Sequence, residues 1–246
     1  MKVLFWDIDG TLLTTGRAGV PAWEQAVRET TGKEFQLSAI RVPGLTDFQI
    51  AARTFELLGV PPQNGQLERM VTRYEDLLPV SLPLRQGQVM PNVREVLDAL
   101  HGRTDVRSYL LTGNTRRGAR AKLTHYDLMK YFPDGAFAED QGPRGSIAKR
   151  ALELARRHGP VDAQQLFVIG DTPHDIEAAT AIDARTIAVA TGGYSVEELS
   201  TARPWRVFEQ LPPPNEFLEL IGAAPAFAPD GASPRQAAVG KASSRS

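Results

Sequence analysis

Val3-Leu4-Phe5-Trp6-Asp7-Ile8-Asp9-Gly10-Thr11 is the stretch on which the fold of this chain turns. Four apolar, mostly β-favouring residues run straight into a pair of acids, a glycine and a threonine. A short apolar run of this kind predicts a buried strand of a parallel sheet. Gly10 then lets the backbone turn sharply where a Cβ would strain it. Asp7 and Asp9 are therefore expected at the carboxyl end of a central strand, the edge at which open α/β sheets bind ligands. Two carboxylates this close raise one another's pKa unless a cation or a donor intervenes.

Outward from that strand, residues 14–19 are polar and glycine-rich, and three helical patterns follow. Trp23, Ala26, Val27 and Thr30 recur at helical spacing up to Gly32. Phe48, Ala51, Ala52, Phe55 and Leu58 form a second stripe, ended by Gly59-Val60-Pro61-Pro62. Leu67, Met70, Val71, Tyr74, Leu77 and Leu78 form a third, closed by Pro79 and Pro83. From Pro91 helices and strands alternate. Strands are expected at Ser108–Thr112, Ala136–Ala138, Leu166–Ile169 and Thr186–Ala190, and helices over Val93–Leu100, Ala119–Leu128, Ile147–Ala155 and Ile176–Ile182. This order predicts right-handed β-α-β units. The fold class is thus α/β: a Rossmann-like parallel sheet with helices on both faces (residues 1–13 and 86–221) and a helical insert at 14–85. Residues 222–246, rich in Ala, Pro, Ser and Gly, are expected to be a flexible tail.

Composition narrows the function. Lys and Arg total 28 and Asp and Glu 29 in 246 residues, a formal charge of −1. That balance argues against nucleic acid or an anionic membrane as partner. The chain has no cysteine, which excludes disulfides, thiolate zinc sites and cysteine nucleophiles. One lysine and four apolar residues before Asp7 are too short for a signal-peptide core, and no apolar run approaches membrane-spanning length. A soluble, cytoplasmic protein is the expectation.

Three strand ends carry the polar residues of interest. The first supplies Asp7 and Asp9, and the second Thr112, Gly113 and Asn114. The last supplies Asp171 and Asp175, in Gly170-Asp171-Thr172-Pro173-His174-Asp175. Four carboxylates converging on one sheet edge form a hard oxygen site suited to Mg²⁺, which also contacts substrate phosphate. Taken singly, Asp175 reads as a helix N-terminal acid favoured by the helix dipole and Thr112 as a strand-end hydroxyl capping a turn. Their order and placement together carry the weight.

This set of motifs resembles the haloacid dehalogenase-like hydrolase superfamily, over roughly residues 1 to 220. The helical insert looks like that family's small α-helical cap. Pro43-Gly44-Leu45-Thr46-Asp47 and Ala190-Thr191-Gly192-Gly193-Tyr194 are similar to its phosphoglycolate phosphatase-like branch. The resemblance implies a Mg²⁺-dependent phosphatase acting on a small phosphorylated metabolite through an aspartyl-phosphate, as a monomer or homodimer. It implies Asp7 as nucleophile and Asp9 as the general acid that later activates water. Asp7, the backbone carbonyl of Asp9, and Asp171 would hold the metal, with Asp175 nearby. Thr11, Thr112, Gly113 and Asn114 are the candidates for holding substrate. A cation should also offset charge in the transition state. Arg144, after the Gly142-Pro143 loop, is preferred over Lys149, which lies inside a helical pattern.

Other residues carry less. Arg17 reads as a solvated loop arginine, Thr46 and Asp47 as caps of the second insert helix, His174 as a surface residue at a helix start, and Arg116 and Arg117 as solvent-facing. Asp9 argues against a dehalogenase, which the family suggests lacks an acid there. A phosphonatase would want a cap lysine, and Lys33 is the only one present, beside a helix stop. A phosphomutase of the same fold, or a non-catalytic phosphometabolite-binding or regulatory protein, are the alternatives. With no Gly-x-x-x-x-Gly-Lys or Gly-x-Gly-x-x-Gly motif, ATP and dinucleotide enzymes fit poorly.

Overall fold

A computed structural model describes residues 1–224. The chain runs β1 (Lys2–Trp6), β2 (Leu13–Thr14), α1 (Gly19–Thr31), α2 (Asp47–Leu57), α3 (Gln66–Ser81) and β3 (Gln88–Val89). It continues with α4 (Val93–Leu100), β4 (Val106–Leu111), α5 (Arg116–His125), β5 (Gly135–Ala136), α6 (Arg144–Arg157) and β6 (Leu166–Gly170). Last come α7 (Pro173–Thr180), β7 (Arg185–Val189), α8 (Val196–Thr201), β8 (Arg206–Phe208) and α9 (Pro214–Leu220).

β1 is the axis of the molecule because both its faces are apolar. Successive strand side chains point to opposite sides. Leu4 and Trp6 enter one core, with α4, α5 and α9, whereas Val3 and Phe5 enter the other, with α6 and α7. All pairings in the sheet are parallel, in the order β5-β4-β1-β6-β7-β8, with β1 between β4 and β6. Helices cover both faces, as a parallel sheet requires. Trp6 stacks on Phe217 at 5.6 Å between ring centroids, which anchors the last helix beneath the central strand.

The helices between β2 and β3 form a core of their own around Trp23, Phe55, Met70 and Tyr74. Trp23 Nε1 donates to Thr54 Oγ1 at 3.2 Å, and its ring meets the Tyr74 ring edge-on at 4.9 Å. α1 ends, as its pattern predicts, at a left-handed Gly32. α2 starts with a capping box in which Thr46 and Gln49 satisfy each other's backbone N–H.

Four expectations need correction. α3 runs through Pro79 to Ser81, because a proline in the last turn forfeits one hydrogen bond there without blocking further turns. Ser81 then ties the end down by donating to the Ala18 carbonyl at 2.7 Å. The insert is flanked by the antiparallel pair β2–β3 (Leu13 opposite Val89, Thr14 opposite Gln88), too short to leave a period-2 signature. Beyond β7 the fold adds α8, β8 and α9, for which the sequence pattern gives no expectation. The tail expected from 222 falls outside the described residues from 225 on. Its first residues still belong to the fold, since Ala223 is buried and its N–H donates to Leu218 O at 2.8 Å.

Candidate active site

The site is built by turns at the carboxyl ends of β1, β4 and β6. After β1, the Ile8 carbonyl accepts from the N–H groups of Thr11, Leu12 and Leu13, and Gly10 sits at φ +87°. Asp7 stays in the ladder, its N–H bonded to Ile169 O at 3.0 Å. Asp9 lies within the turn, and its side chain reaches α5. A Cβ on Gly10 or Gly192 would overlap the Asp171 carboxylate, so backbone presses on that group from two sides.

Asp7, Asp171 and Asp175 converge, all buried, with one carboxylate oxygen of each within 4.8 Å of the others. Arg144, the first residue of α6, places Nη2 at 2.5 Å from Asp7 Oδ1 and 2.6 Å from Asp175 Oδ1. Lys149 lies exposed on the same helix. Asp175 Oδ2 accepts from the Thr172 N–H (3.1 Å) and hydroxyl (2.7 Å) at the start of α7, so both its oxygens are taken. Thr11 Oγ1 donates to Asp171 Oδ1 at 2.9 Å, which turns that hydroxyl toward a carboxylate. Oδ2 of Asp171 accepts no hydrogen bond among the described residues, Thr11 being bonded to its Oδ1.

Burial raises the Asp7 carboxyl to about 7 against the pull of Arg144, and Asp175 and Asp9 push the same way. Asp171 is also raised, by burial first and then by Asp7 and Asp175. For Arg144, burial alone would favour neutrality, but Asp175 and Asp7 hold its pKa above the usual arginine range. One guanidinium thus faces three buried carboxylates. That excess of hard oxygen charge, with an Asp171 oxygen free of donors, fits a divalent cation with carboxylate and water ligands.

The fourth acid stands apart from this trio, against the expectation of four converging carboxylates. Asp9 Oδ2 accepts from Lys122 Nζ at 2.5 Å and from Asn114 Nδ2 at 2.8 Å. Lys122 Nζ also donates to Asn114 Oδ1 at 2.6 Å, and Asn114 Nδ2 to Thr112 Oγ1 at 2.8 Å. Burial would pull the Lys122 ammonium down, but Asp9, with Tyr74 and Asp47, pushes it above the lysine range. No motif in the sequence singles out Lys122. Its signal was there: Gly118, Ala119, Lys122 and Leu123 share the buried face of α5 at helical spacing, and lysine is the odd member.

The insert closes over these residues and leaves a cavity of about 770 Å³. Its floor is Asp7, Asp9, Lys122 and Arg144, and Trp23 and Tyr74 belong to the insert side. Arg17 lines the mouth, exposed, with φ +66°. Gly113 has no room for a Cβ between Arg144 and Leu45 O. His174 sits outside, beside Glu177. Arg116 and Arg117 are exposed as expected, yet Arg117 also reaches the insert at Glu75 and Asp76.

Asp47 does more than begin α2. Its N–H donates to Gly113 O at 2.9 Å, and its Oδ2 accepts the Thr115 N–H at 2.8 Å, so it fastens the insert to the loop after β4. Burial raises its carboxyl from 3.8 to about 6. The folded state therefore holds a proton that the unfolded chain releases earlier, and the Asp47 contribution to stability falls as pH rises through that window. Asp47→Asn keeps an acceptor for Thr115 and removes the charge. Its melting temperature is expected to decline less than that of the wild type between those two pH values. Parallel melting curves would count against this assignment.

Comparison with known proteins gives the family of the chain. A family model described as haloacid dehalogenase-like hydrolase matches residues 1–183. The chain belongs to that family. Among relatives of this hydrolase, a probable phosphatase IndB from Dickeya dadantii is 26% identical over 94% of this chain and 97% of its own. A phosphoglycolate phosphatase from Pseudomonas fluorescens is 27% identical over 83% of this chain and 69% of its own. The crystal structure of a hydrolase from Pseudomonas syringae superposes with a TM-score of 0.68 at 20% identity, covering 91% of this chain and all (100%) of that one. The hydrolase's α/β fold is thus shared with that solved structure. No helix among its described residues is long and apolar enough to cross a membrane.

Proposed function

We propose that this hydrolase is a phosphatase that cleaves a small phosphomonoester with Mg²⁺ as cofactor. The observation that carries the reading is the trio Asp7, Asp171 and Asp175 around Arg144, at the floor of a cavity that also holds Asp9. Asp7, Asp171 and the Asp9 backbone carbonyl would hold the ion, with Asp175 beside them. When bound, the metal neutralises the anionic approach of carboxylate to phosphate.

The chain's own residues divide the chemistry. A carboxylate oxygen of Asp7 attacks phosphorus, and the bond to the leaving oxygen breaks with its electron pair. Asp9 gives that oxygen a proton, releasing the alcohol and leaving an aspartyl-phosphate. Asp9, now ionised, takes a proton from water as the water oxygen attacks phosphorus. The Asp7–phosphate bond breaks, and the net change is one ester and one water to alcohol and inorganic phosphate. Arg144 holds Asp7 in line and offsets charge in the transition state. The Thr112 hydroxyl and the Gly113 backbone N–H would hold phosphoryl oxygens, whereas the Asn114 donors are given to Asp9 and Thr112 and position those two groups instead.

In this reading the substrate is a phosphorylated metabolite in the cytoplasm, the enzyme acts as a monomer or homodimer, and phosphoglycolate is the first ester to try, since several relatives carry that name. The test is phosphate release from a panel of small phosphomonoesters, with Mg²⁺ and with a chelator. Release is expected only with metal. A folded protein inactive toward the whole panel would overturn the reading.

A further inference from the structure

Lys122 is a buried cation for which the phosphatase chemistry above has no task. Its side chain is 6% exposed and that of its partner Asp9 is 43% exposed, and both line the cavity. It occupies a core-facing position of α5, between Ala119 and Leu123 on one side and the insert residues Tyr74 and Asp47 on the other. An apolar side chain would fill that face without the cost of desolvating an ammonium. Two of its three hydrogens are given to Asp9 Oδ2 and Asn114 Oδ1, so its ion pair is made with the acid of the site.

The hydrogen bonds are distributed unevenly over Asp9. Lys122 Nζ and Asn114 Nδ2 both converge on Oδ2, while Oδ1 takes no hydrogen bond among the described residues. Two donors on one oxygen fix the rotamer of a carboxyl group and leave the other oxygen free. Lys122 also holds Asn114 by its amide oxygen, and this orients the Asn114 NH₂ toward both Asp9 and Thr112. One ammonium thereby sets the direction of an acid and of the loop after β4 together.

We infer that Lys122 is a positioning residue: it clamps Asp9 through Oδ2, directly and through Asn114, so that Oδ1 faces the bound ester. The inference rests on the phosphatase reading, in which Asp9 protonates the departing oxygen. Removing the clamp should then damage the step that needs that proton and spare the step that does not. Alkyl phosphates need it, because an alkoxide leaves poorly. p-Nitrophenyl phosphate does not, because the phenolate leaves unaided.

The experiment measures kcat and KM on an alkyl phosphate and on p-nitrophenyl phosphate for the wild type, Lys122→Met, Lys122→Gln, Asp9→Asn and the Lys122→Met/Asp9→Asn double variant. Lys122→Met is expected to lose about 100-fold in kcat on the alkyl ester, the low end of what a positioned acid contributes. On the aryl ester it should lose less than about a tenth of that, with KM little changed on both. Lys122→Gln, which still has an N–H to offer Oδ2, should recover part of the loss. The double variant should be no worse than Asp9→Asn, as expected when two residues act as one unit. Equal losses on both esters, or losses that multiply in the double variant, would overturn the inference. If Lys122→Met fails to fold, the alkyl-to-aryl ratio of Lys122→Gln decides alone. A wild type inactive on both esters would instead bring down the phosphatase reading, and this inference with it.

Discussion

Asp7→Asn is expected to abolish phosphate release, by at least about 1,000-fold in kcat, while leaving the protein as stable as the wild type or more so. The first half follows from the loss of the nucleophile, whose removal from a catalytic unit costs factors of this size or more. The second follows from the charge balance of the site. Asp7 carries a carboxyl raised to about 7 by burial and by Asp175 and Asp9, despite Arg144. Without metal, its ionised form therefore works against folding, and the penalty grows as pH rises from the ordinary carboxylate range through that value. An amide of the same shape escapes this penalty and still offers an oxygen to Arg144. Thermal melts at pH 8 without metal, beside phosphate release with Mg²⁺, check both halves. More than about 1% residual turnover in the variant would remove Asp7 from the role of nucleophile.

Arg144→Ala is expected to cost both activity and stability, whereas Lys149→Ala should cost neither. Arg144 Nη2 is shared by Asp7 and Asp175, at 2.5 and 2.6 Å, and all three side chains are buried. Taking away one partner of a buried ion pair leaves an uncompensated charge, a loss of about 3–5 kcal/mol. Lys149 projects from the exposed face of α6 and touches none of the three acids. The variant also allows a test of metal binding free of turnover. With the guanidinium gone, the carboxylates need a cation more, so Mg²⁺ should raise the melting temperature of Arg144→Ala by more than that of the wild type. Equal shifts would separate the arginine from the metal site, and a Lys149→Ala enzyme without activity would reverse the choice between the two cations.

Much of this architecture could be read directly from the chain because its signals are strong and local. Val3 to Trp6 and Leu166 to Ile169 are unbroken apolar runs ending in acids, and such runs have few outcomes other than buried parallel strands. Arg144 was singled out because the resembled family places a cation before a helix at this stage and a loop and a helix start frame it, and the fold sets it against Asp7 and Asp175. Other features lacked a local signature. Lys122 looks like any helical lysine until its neighbours on the helix face are counted. Its partner Asp9 is distant in sequence, and only the turn of residues 8–13 brings them together. Asp47 reads as an ordinary first-turn acid, and its bond to the Thr115 N–H depends on how the insert docks. β2 and β3 have two residues each, and β8 has three, too few for any periodicity to show. Local pattern fixes which elements form; the partners of individual polar atoms depend on tertiary placement.

The small β2–β3 ribbon has a consequence for the order of folding events. β1 and β4 are neighbours in the sheet, with Val3 beside Arg107, yet the whole insert lies between them in the chain. Contacts so remote in sequence are slow to find, since the closing loop must be confined before any pairing repays it. Pairing Leu13 with Val89 and Thr14 with Gln88 draws the two ends of the insert together. The loop left to close between β1 and β4 is then only the short connection on either side of the ribbon plus α4. Once the insert helices have packed around Trp23 and Phe55, these four paired residues leave the sheet only a short loop to close.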